Sequence, residues 1–243
     1  MKQIILLILI FIFVSCGENS QKGYNTLRER NTPVKIDSLK FSVTIITVDE
    51  YDKAKKSFVN KVLYDTTTIR NENGKFKLPI DKKWKPFVIF TDTLLNTDDS
   101  YRRQYNYVGQ FKNIGLYIVE GNFWEHSEYY LIDKRTGTQI VTWYKPIISP
   151  TDKYIANISM PFGLEGAPNG IQIWRIEKNI NNESEPITIT KYFELDQQIW
   201  VPEEFVWESD YSLLLKVAGI DKYLYGKGEP SANDFYYLRL KIQ

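Results

Sequence analysis

Apolar residues recur at every second position along most of this chain, and that period constrains its fold more than any other feature. Phe41, Val43 and Ile45 alternate with Ser42 and Thr44. Tyr154, Ala156, Ile158 and Met160 alternate with Asn157 and Ser159, and Tyr236, Leu238, Leu240 and Ile242 alternate with Tyr237, Arg239 and Lys241. Successive side chains of a strand point to opposite faces, so each run puts one face in a core and leaves the other wetter. Turn signals separate the runs: Asn73-Gly74, Lys134 to Gly137, Thr151-Asp152, Ser209-Asp210 and Gly226 to Gly228. Tyr, Phe and Trp make up 15% of the residues, which suits pleated, half-buried surfaces. One segment departs from the pattern. Within residues 49–62, Tyr51, Ala54, Phe58 and Val62 fall on one helical face, while the lysines and β-rich flanks fit a long hairpin equally well. An all-β fold is expected, as a single domain over residues 34–243.

Parts of the pattern repeat. "YYLIDKRTGTQIVTWY" (129–144) reads as strand, tight turn, strand, followed by "IISPTDKYIANISM" (147–160), "GIQIWRIEK" (170–178) and "ITITKYFEL" (187–195). "FVWESDYSLLLKV" (205–217) matches the 147–160 segment in shape at an offset of 58 residues, and "FYYLRLKI" (235–242) matches "IQIWRIEK" at 64. "IISPTDKYIA" resembles the Ser-Pro-Asp-Gly strand of WD40 and TolB-type β-propeller blades, with Thr151-Asp152 in place of Asp-Gly. "IQIWRIEK" is similar to the strand that ends a WD40 blade, with Arg175 at the signature Asp position. The resemblance implies a propeller-like array of antiparallel sheets, about four blades in a closed or incomplete ring, since a blade takes roughly 40 to 45 residues. The alternative is a β-sandwich, whose hairpins alternate in the same way.

The N-terminus predicts location. Behind Met1, Lys2 and Gln3, the residues from Ile4 to Val14 are all Ile, Leu, Phe or Val. At about 1.5 Å per residue this run reaches roughly 17 Å, short of a bilayer core of about 30 Å, and its length is that of a signal-peptide apolar region. It ends in Val14-Ser15-Cys16, which resembles the lipobox of bacterial lipoproteins. The resemblance implies cleavage after residue 15 and a diacylglyceryl lipid on Cys16, the only cysteine. Gly17 stands where the Asp of inner-membrane retention would stand in enteric lipoproteins, which implies an outer-membrane location with the face left open. Residues 16–33 are polar and end at Pro33, a composition too poor in apolar surface to offset ordering, so they are expected to form a flexible tether.

Charge and inventory narrow the function. The chain has 31 Lys plus Arg against 30 Asp plus Glu, and loss of Lys2 with the signal peptide leaves the mature form neutral. Neutrality argues against nucleic acid as a partner and gives no reason to expect electrostatic attachment to an anionic membrane surface. The expected membrane contact is therefore the N-terminal lipid. With Cys16 lipidated no thiol remains, and the single histidine, His126, supplies at most one triad base or metal ligand. In "NFWEHSEYY", His126 and Glu128 would share a strand face while Glu125 points away. No nucleophile elbow, phosphate loop or dinucleotide fingerprint occurs, so no catalytic residue, metal or cofactor is expected.

Two functions follow from this inventory. The first is an envelope-tethered, non-catalytic binding module for a protein or glycan. Its candidate contacts are Trp84, Trp124 and Trp200, near expected loops or strand ends, while Trp143, Trp174 and Trp207 lie within strand patterns and are assigned to the core. The alternative is a carboxylate-dependent glycosidase or lyase drawing on Asp98-Asp99, Glu120, Glu203-Glu204 or Asp210.

Overall fold

The last sheet of the domain takes strands from both of its ends. In the computed structural model, residues 36–37, 40–65, 69–93, 101–124, 126–160, 168–178, 187–223 and 230–243 are described, all within a unit spanning Lys35–Gln243. The signal segment, Cys16, the tether, Asp98-Asp99, Glu125 and the Gly226 to Gly228 turn lie outside the described residues. Strand β1 (Ile36–Asp37) pairs with β2 (Phe41–Ile46), and helix α1 (Val48–Ser57) follows. A two-stranded hairpin comes next, β3 (Lys75–Pro79) and β4 (Phe87–Thr91). Strands β5 (Arg103–Phe111), β6 (Leu116–Phe123), β7 (Ser127–Asp133) and β8 (Gln139–Thr142) form a four-stranded antiparallel meander. A second meander holds β9 (Ile147–Ile148), β10 (Tyr154–Ser159), β11 (Gly170–Glu177) and β12 (Thr188–Asp196). Strands β13 (Trp200–Ser209), β14 (Ser212–Gly219) and β15 (Phe235–Ile242) build the last sheet, which β2 joins by pairing with β15. The described residues are thus mainly β, in four antiparallel sheets, none closed on itself.

The sheets share cores in sequence order. Phe76, Leu78, Val88 and Phe90 of the hairpin pack with Tyr117, Val119 and Ile132 of the first meander. The other face of that meander, with Leu116, Ile118 and Leu131, meets Ile148, Ile155 and Ile176 of the second. Tyr154, Ala156, Ile171 and Phe193 then face Phe205, Trp207, Leu213, Leu215 and Leu240 of the last sheet. Helix α1 covers that sheet's remaining face through Tyr51 and Ala54 against Ile46, Val206 and Leu214. Both meanders are therefore buried on two faces. This corrects the reading of 154–160 as one wet and one dry face: Ile155 and Asn157 are as fully buried as Ala156. Period two records the pleat, and the second core comes from a neighbouring sheet that local pattern cannot reveal.

Residues 49–62 resolve as helix, but a shorter one. Thr47 caps it: its hydroxyl accepts from the Glu50 N–H at 3.3 Å, and Glu50 accepts from the Thr47 N–H at 2.9 Å. Such a reciprocal cap contributes about 1 kcal/mol. The helix ends at Ser57, and Phe58 turns extended. Phe58 and Val62 nonetheless pack on cores, Val62 on the one between the meanders.

The Ser149 turn is closed by the serine side chain. The Asp152 N–H donates to the Ser149 carbonyl at 3.1 Å, and the Ser149 hydroxyl, rather than the Asp152 carboxylate, accepts from the backbone of Lys153 and Tyr154. Asp152 holds φ 62°, the left-handed conformation that Gly serves in the related pattern, and its carboxylate reaches out to Lys61 at 2.8 Å.

Among the described residues no helix is long and apolar enough to cross a membrane.

Candidate functional site

The three tryptophans singled out as contacts occupy three different environments. Trp200 opens β13 at 3% exposure and packs in the core between the second meander and the last sheet. Its carbonyl accepts from the buried Asn169 amide at 2.9 Å and from Gln197 at 2.7 Å, so the turn before β13 is pinned and the ring directed inward. It presents no surface to a ligand. Trp84, at the tip of the β3–β4 hairpin, is 98% exposed. Trp124, in the turn between β6 and β7, is 41% exposed. These last two are not neighbours. The Trp84 loop bonds to the β7–β8 turn through the Asp81 N–H and the Lys134 carbonyl. Trp124 sits at the other end of β7, roughly 20 Å away at about 3.3 Å per residue.

The rim around Trp124 is built from an aromatic relay that begins in the core. Phe76 stacks on Phe90 at 5.3 Å, Phe90 meets Tyr105 at 5.0 Å, and Tyr105 meets Phe123 edge-on at 6.1 Å. The exposed His126 ring then stacks on Phe123 at 4.7 Å and 14°. Gly121 makes room for this: a Cβ there would lie 2.9 Å from the Tyr130 ring and 3.0 Å from that of Phe123. The turn is closed by the Phe123 N–H donating to the His126 carbonyl at 2.9 Å. Trp124 is therefore displayed from a turn whose neighbours are fixed by ring packing, each such pair contributing about 0.5–1.5 kcal/mol beyond its burial.

Polar groups line the opposite face of the same strands. Tyr129 donates to Glu120 at 2.7 Å, the Asn106 amide donates to Glu120 at 3.1 Å, and the Ser127 hydroxyl donates to Asn122 at 2.6 Å. Burial alone would raise the Glu120 carboxyl, but the bonds from Tyr129, Asn106 and Asn122, with Lys145 nearby, outweigh it and hold the group below the usual range. Burial and then Glu120 push the Tyr129 hydroxyl up, and burial and then Glu128 do the same to Tyr130, which donates to Glu128. Glu120 is thus an ionised acceptor.

The remaining acids are scattered. Glu203 is exposed and accepts from Tyr223, Glu204 pairs with Lys55, and Asp210 accepts from Thr151. Two carboxylates, Asp49 and Asp52, border a shallow depression on α1, beside Lys53 and Lys56 on the solvent side of the helix. Among the described residues no group of three or more His, Cys, Asp or Glu side chains converges as a metal site would require. Of the tryptophans assigned to the core, Trp207 is buried and donates to the Ile147 carbonyl at 3.1 Å, Trp174 is half-buried against the core between the meanders, and Trp143 is half-buried in the bend after β8.

Sequence reasoning singled out Trp124 as a contact and gave His126 no binding role, and it missed the residues around them. Tyr105, Gly121 and Phe123 lie two positions apart or on paired strands, a relation that exists only once the β5–β6 register is known. At the turn the rim offers an exposed indole, a stacked Phe–His pair, and the Asn122 amide and Ser127 hydroxyl, a set suited to ring stacking plus directed hydrogen bonds. No family model matches the chain, and no curated protein or solved structure is significantly similar to it.

Proposed function

We propose that this protein is an envelope-tethered lipoprotein, anchored through Cys16 to the outer membrane, which acts as a non-catalytic binding module for a glycan or a protein. Its four sheets are read as a propeller-like array in which each meander is one blade. The N-terminal strand β2 completes the last blade, and the hairpin is a reduced first one. The strand orders support this reading over a two-sheet sandwich, because three successive inter-sheet cores are present instead of one. The ligand meets the rim between β6 and β7.

The observation that carries the binding role is the relay from Phe76 to His126 that ends at the turn holding the partly exposed Trp124. Rigid aromatic surface costs little conformational entropy on binding, and Asn122 and Ser127, at the strand ends beside the turn, supply direction. The test is to compare capture of isolated envelope polysaccharides and of solubilised envelope proteins by the wild-type chain and by Trp124→Ala. Loss of one ligand class with the variant supports the rim and identifies the class. Equal capture by both chains removes the rim from consideration.

A further inference from the structure

The chain is neutral as a whole, but its charge is not evenly distributed. Residues 75–89 hold five lysines, Lys75, Lys77, Lys82, Lys83 and Lys85, against one acid, Asp81. Lys82, Lys83 and Lys85 flank Trp84, and among the described residues none of the three has an ion-pair partner. The loop displays its indole from a pinned base. The Ile80 N–H donates to the Pro86 carbonyl at 2.8 Å, and the Asp81 N–H to the Lys134 carbonyl at 2.8 Å, so both sides of the tip are held. The outer face of the hairpin continues the surface. Lys77 pairs across the strands with Ile89, and Pro79 with Phe87. Phe87 and Ile89 are 39% and 49% exposed, and Lys77 lies over the Phe87 ring at 5.9 Å. The inner face is fully used in the core.

We infer that the tip and outer face of the β3–β4 hairpin dock onto an anionic bilayer surface, with Trp84 at headgroup depth and the lysines above lipid phosphates. Charge complementarity selects this occupant. Trp is favoured at membrane–water interfaces, where its ring is solvated at one edge, and each lysine close to an anionic leaflet strengthens association about fivefold. The exposed Phe87 and Ile89 add apolar contact that a soluble polyanion would not reward. The inference stands on the hairpin alone, independently of the lipid on Cys16. Docked in this way, the domain turns the Trp124 end of β7 away from the bilayer.

The experiment uses the full-length protein reconstituted into vesicles of phosphatidylcholine with about one-third phosphatidylglycerol, carrying bromine on the acyl chains. Bromine quenches only indoles that reach the bilayer. Part of the emission of the six tryptophans should be quenched, and that part should vanish in Trp84→Phe. It should also vanish in the Lys82→Glu, Lys83→Glu, Lys85→Glu triple variant, or at about 1 M salt, where the Debye length is about 3 Å. These sites are exposed, so folding is not at stake. Equal quenching in Trp84→Phe, or in vesicles without phosphatidylglycerol, overturns the inference. So does a doubled mass in lipid-free solution that Trp84→Phe abolishes, because the hairpin would then join two copies of the chain. Failure of the anchor reads separately: a chain with free Cys16 that anionic vesicles still recruit, while the triple variant is not recruited, leaves the docking surface standing.

Discussion

Thr151 donates both its backbone N–H, at 2.7 Å, and its hydroxyl to the carboxylate of Asp210. The turn of one repeated segment thereby holds the turn of the next, 59 residues later along the chain. Lys153 reinforces the contact, its ammonium donating to the Tyr211 hydroxyl at 3.0 Å.

Removing that carboxylate leaves two donors unpaired at a nearly buried site. Asp210→Ala is expected to lower stability by about 2–3 kcal/mol, as hydrogen bonds to charged groups do. Burial alone would raise the Asp210 carboxyl, but the Thr151 bonds prevail and its folded pKa is depressed. Its contribution is therefore fully present above the unfolded value of about 3.9 and is lost as the pH falls through the folded value. Urea denaturation should show the gap between wild type and Asp210→Asn closing below about pH 4. A gap independent of pH would mean that the charge is not what Thr151 recognises.

The tryptophans should separate by role. Trp200→Ala opens a cavity in the core and is expected to cost about 3–5 kcal/mol, while Trp124→Ala should shift the unfolding midpoint by less than about 0.5 kcal/mol equivalent. Ligand capture should respond in the opposite order once the Trp200 variant is assayed below its melting temperature.

Gly121→Ala tests the relay without touching Trp124. The added methyl presses on the Tyr130 and Phe123 rings, so about 1–3 kcal/mol of overpacking strain is expected. The Phe123–His126 stack should be displaced with it. Aromatic ring-current shifts of His126 in proton NMR would report the displacement, and ligand capture should weaken in parallel.

Attachment rests on one atom. If Cys16 carries the lipid, the mature chain partitions into detergent, and Cys16→Ser accumulates as precursor or is released. Mass spectrometry of the N-terminal peptide checks this directly, and a free Cys16 thiol in an otherwise soluble wild-type chain would refute it.

The strand segments were legible because strict alternation over Tyr236 to Ile242 and the Asn73-Gly74 and Lys134 to Gly137 turns each carry a local cause. Asn73 and Gly74 take φ 53° and 74°, as their sequence implies. The helix was half legible, since Tyr51 and Ala54 gave its buried face but Phe58 gave no sign that it turns extended. What could not be read is whatever depends on a neighbouring sheet. Asn157 looks like a solvated position, yet it is buried, its carbonyl accepting from the Tyr144 N–H at 3.4 Å. Trp200 was misread for the same reason, because the Asn169 that pins its turn is 31 residues away. For the rim, Trp124 was visible by its turn, while Tyr105 and Phe123 entered only through the register of β5 on β6.

The pairing of β2 with β15 sets an order of assembly. Each meander can form from contiguous chain as it emerges, but β2 has only the two-residue β1 beside it until residues 235–242 exist. Contacts of such long sequence separation form late, because loop closure precedes any gain from the ladder. The last sheet is thus finished by strands from the two ends of the domain together, and the Gln243 N–H reaches the Lys40 carbonyl at 2.8 Å. A chain truncated by its final strand would cost Phe41 and Val43 their partners Ile242 and Leu240 and leave an open edge. Emergence of residues 235–242, rather than any earlier event, is the moment at which this domain can close.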